Sequence, residues 1–133
     1  MDQAEHVLIV EDDPLLADLL ASVLQEHGAE TTQATTLQAG LALLESTNTV
    51  TRLVTDFQLS GTADCVPLLA KAYASQPPVP CVVMSGNIGA IDMKHLRSGL
   101  TSAQTAPALL QKPFGIEQFI ETVFATPRLA EVR

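Results

Sequence analysis

The chain has 133 residues, 47% of them apolar, and carries a net charge of −8. That size and composition suit one domain with its own core and argue against disorder or a membrane-embedded chain. Seven Lys/Arg scattered along the sequence form no basic patch, which argues against direct nucleic-acid binding.

Apolar runs such as Val7–Val10 and Cys81–Met84 are too short to cross a bilayer. The opening MDQAEH lacks the basic flank and apolar stretch of a signal peptide, so the cytoplasm is expected. Cys65 and Cys81 have neither metal-ligand nor C-x-x-C spacing, and Cys81 suits a small buried hydrophobe.

Strand and helix patterns then alternate five times. His6–Glu11 is a continuous apolar run ending in a carboxylate, as expected of a strand covered on both faces. Pro14–His27 places Leu16, Leu19, Leu20, Val23 and Leu24 on one helical stripe, with Pro14 suited to the first turn and Gly28 to the stop. Ala29–Ala34 is short and polar, fitting a sheet edge, and Thr36–Glu45 is a helix with Leu37, Leu41 and Leu44 inward.

Arg52–Asp56 is the third strand. Thr62–Ser75 follows as a helix with Val66, Leu69 and Tyr73 on one face, and QPPVP at 76–80 turns the chain. Cys81–Ser85 is the fourth strand, and Asn87–Leu100 carries a weak helix using Ile88, Ile91, Leu96 and Leu100. Thr101–Pro107 is polar and poorly suited to a helix. Pro107–Gln111 is the fifth strand, and Gly115–Ala125 has a stripe of Ile116, Phe119, Ile120, Val123 and Phe124. This alternation implies an α/β fold, a doubly wound parallel sheet with helices on both faces. One domain is expected over residues 1–133, with its core at about 5–126 and no output domain attached.

In such sheets ligands bind beyond the carboxyl ends of the strands. Strand one ends in Glu11-Asp12-Asp13, strand three in Asp56, strand four in Ser85-Gly86 and strand five in Lys112-Pro113. Carboxylates crowded at one rim repel one another, and a divalent cation relieves this. Mg²⁺ needs only one or two carboxylates and a carbonyl, since it keeps several waters. A carboxylate beside it can attack phosphorus, with Lys112, the Ser85 hydroxyl and backbone N–H groups neutralising the transferring group.

The set IVEDDP at 9–14, Asp56 closing RLVTD, MSG at 84–86 and KPF at 112–114 resembles the response-regulator receiver domain over essentially the whole chain. The resemblance implies a flavodoxin-like five-stranded parallel sheet in the order 2-1-3-4-5. It implies phosphorylation of Asp56 by a phosphohistidine on a sensor histidine kinase or phosphotransfer protein, the receiver catalysing its own modification rather than acting as an enzyme on other substrates. Asp13 would then ligate Mg²⁺ directly and Asp12 mostly through water, with Asp56 and the backbone carbonyl of Gln58 completing the set. Lys112 would pair with Asp56, Ser85 would turn inward to a phosphoryl oxygen, and the Lys112–Pro113 bond would be cis. The output surface would be the fourth helix, fifth strand and fifth helix, acting on an unknown downstream protein or a phosphorelay and compatible with a homodimer.

Three departures stand out. Leu109 occupies the position where the family usually carries a switching aromatic, the Ser85–Lys112 segment is longer than usual, and the amides Gln58 and Asn87 flank the site. Taken singly, each site residue also has a plainer reading. Asp12 and Asp13 suit a solvated turn capping a helix, Ser85-Gly86 a turn and Lys112 a surface position. His6, His27 and His95 read as structural or exposed. The competing function is a docking or inhibitory module independent of phosphorylation. A haloacid-dehalogenase-type phosphatase would want D-x-D after strand one and a flavodoxin a glycine-rich phosphate loop, and EDDPLL offers neither.

Overall fold

The computed structural model describes residues 4–47, 49–61, 63–75, 77–98, 100 and 106–125. Most of the polar stretch 101–107, the tail after 125 and the first residues of MDQAEH lie outside these. Five strands, β1 (His6–Val10), β2 (Glu30–Ala34), β3 (Arg52–Asp56), β4 (Cys81–Ser85) and β5 (Ala108–Gln111), form one sheet in the order β2-β1-β3-β4-β5. Every pairing is parallel. The helices are α1 (Pro14–Glu26), α2 (Leu37–Ser46), α3 (Val66–Ala74), α4 (Met93–Leu96) and α5 (Ile116–Ala125).

Strand side chains alternate between two cores, as a period of two requires. Val7, Ile9, Val54, Val82, Met84 and Leu110 pack with residues of α1 and α5. Leu8, Val10, Leu53, Cys81 and Val83 pack with residues of α2 and α3, and with Ile91 and Leu96. Both faces are therefore covered, which is why β1, β3 and β4 lack polar alternation. β2 lies at an edge and keeps its polar residues. Cys65 and Cys81 are free and buried.

Four expectations change. Ile116, placed on the apolar stripe of α5, is 54% exposed, and Phe119 and Val123 are the buried residues of that helix. Leu19 is 49% exposed, because Ala17, Leu20, Ala21, Val23 and Leu24 form the buried face of α1. α3 begins at Val66 rather than near position 62. The chain after β3 instead turns back on itself: Cys65 N–H donates to Phe57 O at 2.9 Å and Leu59 N–H to Ala63 O at 2.9 Å. Gly61 supplies the positive φ of 74° that this reversal needs, and the Asp64 carboxylate accepts from Val66 N–H at the helix entrance. The weak fourth helix divides into a 3-10 turn, Ile88–Ala90, and the single turn α4, which starts where Asp92 accepts from Lys94 N–H.

Candidate functional site

The parallel sheet places the carboxyl ends of β1, β3, β4 and β5 side by side. Asp56 closes β3, whose five residues are all buried, and its own exposure is 6%. Lys112 follows β5, and its Nζ lies 2.7 Å from Asp56 Oδ1 and 2.9 Å from Glu11 Oε1. The Lys112–Pro113 bond is cis. One ammonium thus joins two buried carboxylates.

Glu11 is the residue that sequence reasoning left without a role. Its N–H continues the sheet by donating to Ala34 O, so its side chain is delivered inward and only 1% of it is exposed. Its other oxygen accepts from Asp13 N–H at 3.0 Å. Glu11 closes the apolar run IVE, and a carboxylate buried there requires a cation nearby; that was the available signal.

Asp13 has a different task from the one the resemblance implies. It is exposed, stands at the N-cap of α1, and its Oδ1 accepts from Leu15 N–H at 3.0 Å. Pro14 at the first helical position has no N–H to offer, so the cap falls on the next residue. Among the described residues, the carboxylates whose oxygens lie within 4.8 Å of one another are those of Glu11, Asp12 and Asp56. This donor set fits a hard divalent cation: all oxygen, partly buried, with exposed Asp12 toward solvent. The acids of β1 that share the rim with Asp56 are therefore Glu11 and Asp12, while Asp13 turns to the helix.

Burial is the largest influence on Asp56 and pushes its carboxyl up; Glu11 adds to this, Lys112 opposes it, and the result is about 7. Burial also acts upward on Glu11, but bonds from Asp56, Asp13 N–H and Lys112 hold it below the usual carboxylate range. Burial acts downward on Lys112, and the two carboxylates outweigh it, so the ammonium is held more firmly than usual. Without a metal, Asp56 therefore titrates close to neutral pH, while Glu11 keeps its charge opposite Lys112.

Ser85 is half-buried at the end of β4, and its Oγ accepts from Asn87 N–H at 3.0 Å. Gly86 and Asn87 are exposed. Gln58 lies in the loop after β3, bridged to Asp64, and its side-chain amide donates to Ala63 O. Leu109 is half-buried in β5 against the α2/α3 core. Of the histidines, His95 is more than structural filler: its Nε2 lies 2.8 Å from Asp64 Oδ2, tying α4 to the loop after β3. A surface cavity of about 510 Å³ between the ends of α2 and α3, lined by Leu44, Val50, Ser75 and Val79 among others, includes none of these site residues.

The response regulator receiver domain profile matches residues 7–124. A response regulator receiver protein of Sinorhizobium medicae WSM419 superposes with a TM-score of 0.76 at 23% identity, covering 92% of this chain and 94% of that one. A CheY-like receiver domain protein of Methanospirillum hungatei JF-1 gives 0.72 at 22% identity, covering 90% of each. The receiver domain of a Pseudomonas aeruginosa PAO1 sensor histidine kinase, solved with magnesium in its active-site cleft, gives 0.71 at 17% identity, covering 90% of this chain and 93% of that one. No curated protein matches significantly in sequence. At these identities the structural likenesses speak to the fold alone.

Proposed function

The chain belongs to the response regulator receiver domain family, and on that premise we propose that Asp56 is its phosphoacceptor. The observation that carries this is the buried Asp56 carboxylate held 2.7 Å from Lys112 Nζ, within one cluster with Glu11 and Asp12. Asp12, Asp56 and Glu11 would hold Mg²⁺, with the Gln58 carbonyl as a further oxygen donor. The ion, when bound, neutralises carboxylate charge and phosphoryl oxygens.

Asp56 acts as the nucleophile: a carboxylate oxygen forms the new O–P bond, the P–N bond of a phosphohistidine breaks, and the imidazole leaves with that electron pair. Loss of the Asp56 proton precedes this, since only the carboxylate attacks. Lys112 then turns its charge from the carboxylate to the phosphoryl oxygens. Ser85 offers a hydroxyl from the next strand end. The donor is a phosphohistidine-bearing kinase or phosphotransfer protein of the cytoplasm, and the modified domain acts on a downstream protein through α4, β5 and α5.

Incubation with magnesium and acetyl phosphate, read by intact mass, tests this. One added phosphoryl group, lost in Asp56→Asn and with a chelator, is the expected result. Labelling that persists in Asp56→Asn would move the acceptor elsewhere. Two observations favour a second reading, docking that does not depend on phosphorylation: α4 is a single turn, and aliphatic Leu109 has no hydroxyl to exchange between interior and solvent. Partner binding unaltered in Asp56→Asn would select it.

A further inference from the structure

Gln111 is the last residue of β5 and its side chain is exposed, yet it makes three hydrogen bonds to backbone. Its amide nitrogen donates to Gly86 O at 2.6 Å and to Lys112 O at 2.8 Å. Its carbonyl oxygen accepts from Ile88 N–H at 3.1 Å. One side chain therefore spans the segment immediately after Ser85, gripping it at both ends of Asn87. Two further bonds fix the same segment: Lys112 N–H donates to Ser85 O at 2.8 Å, and Asn87 N–H donates to Ser85 Oγ at 3.0 Å.

In this arrangement the Ser85 hydroxyl serves its own loop. For the Ser85 O–H to donate to a phosphoryl oxygen on Asp56, Oγ must turn toward Asp56, which gives up the bond from Asn87 N–H and frees residues 86–88 to shift. Those are the residues that Gln111 holds. A restraint that exists in only one of two states favours that state by its own free energy. We propose that Gln111 is a positioning residue, a strap that holds the loop after β4 in its unliganded arrangement and so sets how readily the site accepts a phosphoryl group. The proposal rests on the reading of Asp56 as phosphoacceptor. Leu109, two residues earlier on the same strand, is an aliphatic in place of a switching aromatic. The strap thus places control on the exposed end of β5.

The test uses the full chain, Gln111→Ala and Gln111→Glu. Glutamate keeps an acceptor for Ile88 N–H but turns a carboxylate toward the Gly86 and Lys112 carbonyls. Because the side chain is exposed, both variants are expected to fold. Amide hydrogen exchange of Ile88 is followed by NMR without ligand, and affinity for beryllofluoride, a phosphoryl mimic, is measured with magnesium by calorimetry. Exchange at Ile88 should accelerate in Gln111→Ala, which removes the acceptor, and less in Gln111→Glu, which keeps one. Beryllofluoride should bind about five- to tenfold more tightly, the effect of one net hydrogen bond or slightly more. Affinity for magnesium alone should stay the same, which separates loop positioning from general damage to the site. Unchanged exchange at Ile88 would show that the strap does not exist in solution. Faster exchange with equal or weaker beryllofluoride binding would overturn its control of the site. If the wild type also failed to bind beryllofluoride, the reading of Asp56 would fall and the regulatory role with it, while Ile88 exchange would still decide whether the strap forms.

Discussion

Replacing Asp56 with Asn should stabilise the metal-free protein above neutral pH. The carboxyl ionises at 3.8 in a solvated chain and at about 7 in this fold, because burial and then Glu11 oppose its charge more than Lys112 supports it. A folded-state value raised above the unfolded one contributes stability that is complete below 3.8 and is lost as pH rises through about 7. Between those values the unfolded chain gives up its proton while the fold retains it, so stability falls across that window.

Each tenfold difference in proton affinity corresponds to about 1.4 kcal/mol, which sets a ceiling of about 4 kcal/mol. Asp56 shares its proton with Glu11 and Lys112, and relaxation of that cluster should reduce the effect to about 2 kcal/mol. Asn mimics the protonated acid, with an oxygen for Lys112 and an amide donor for Glu11. Urea unfolding with a chelator at about pH 8 should therefore show Asn more stable by about 2 kcal/mol, or about 8 °C in Tm. At about pH 5, where the unfolded carboxyl is ionised but the folded one is not, the gap should shrink to roughly a third, and it should vanish below 3.8. Equal gaps at both pH values, or a less stable variant at the higher one, would refute the account of Asp56 as a buried carboxyl crowded by Glu11.

The neighbouring acids should separate by function. Asp13→Ala should cost about 1 kcal/mol of stability through the lost α1 cap and leave magnesium affinity nearly intact. Asp12→Asn should cost little stability and weaken magnesium binding by about tenfold, and calorimetric titration of both distinguishes them. Arg52→Met should destabilise by about 2–3 kcal/mol in denaturant unfolding, because the buried guanidinium is paired with Glu5 at 3.1 Å and donates to Val123 O at 2.8 Å. Gly40→Ala should also destabilise, by about 1 kcal/mol. The added Cβ would meet Leu68 Cδ2 at 2.9 Å and Val10 Cγ2 at 3.0 Å, and overpacking of about 2 kcal/mol exceeds the helix-propensity gain of about 1 kcal/mol.

The fold was legible because the periodicities agree with the layers. Arg52–Asp56 and Cys81–Ser85 were read with their observed bounds, since continuous apolar runs bounded by turn residues have few other solutions in a parallel sheet. Where reading failed, local hydrogen bonding overrode the pattern. The start of α3 is set by Asp64 and the loop around Gly61, interactions that leave no apolar period. The fourth helix divides because Asp92 begins a new turn inside a segment of modest propensity. Leu19 was misplaced because the buried face of α1 is rotated toward Ala17 and Ala21; these small residues are covered while Leu19 faces solvent.

The residue types at the rim were legible, but which two of the three consecutive acids gather beside Asp56 was not, and the cause is physical. Glu11, Asp12 and Asp13 carry similar groups, so composition cannot rank them. What ranks them is direction. Glu11 still lies on the β1 ladder through its N–H to Ala34 O, so its side chain follows the strand into the protein and needs Lys112. Asp13 has already left the strand, with φ −92° and ψ 106°, and its carboxylate faces the free N–H groups of α1. Asp12 lies between the two and can reach both the rim and solvent. Pro14 decides the frame: with proline at the first helical position the residue before it becomes the cap, which removes Asp13 from the rim and leaves the two preceding acids to share it with Asp56. A sequence carrying three consecutive acids before such a proline should be read from the proline backward, the acid nearest to it assigned to the helix and the remaining two to the site.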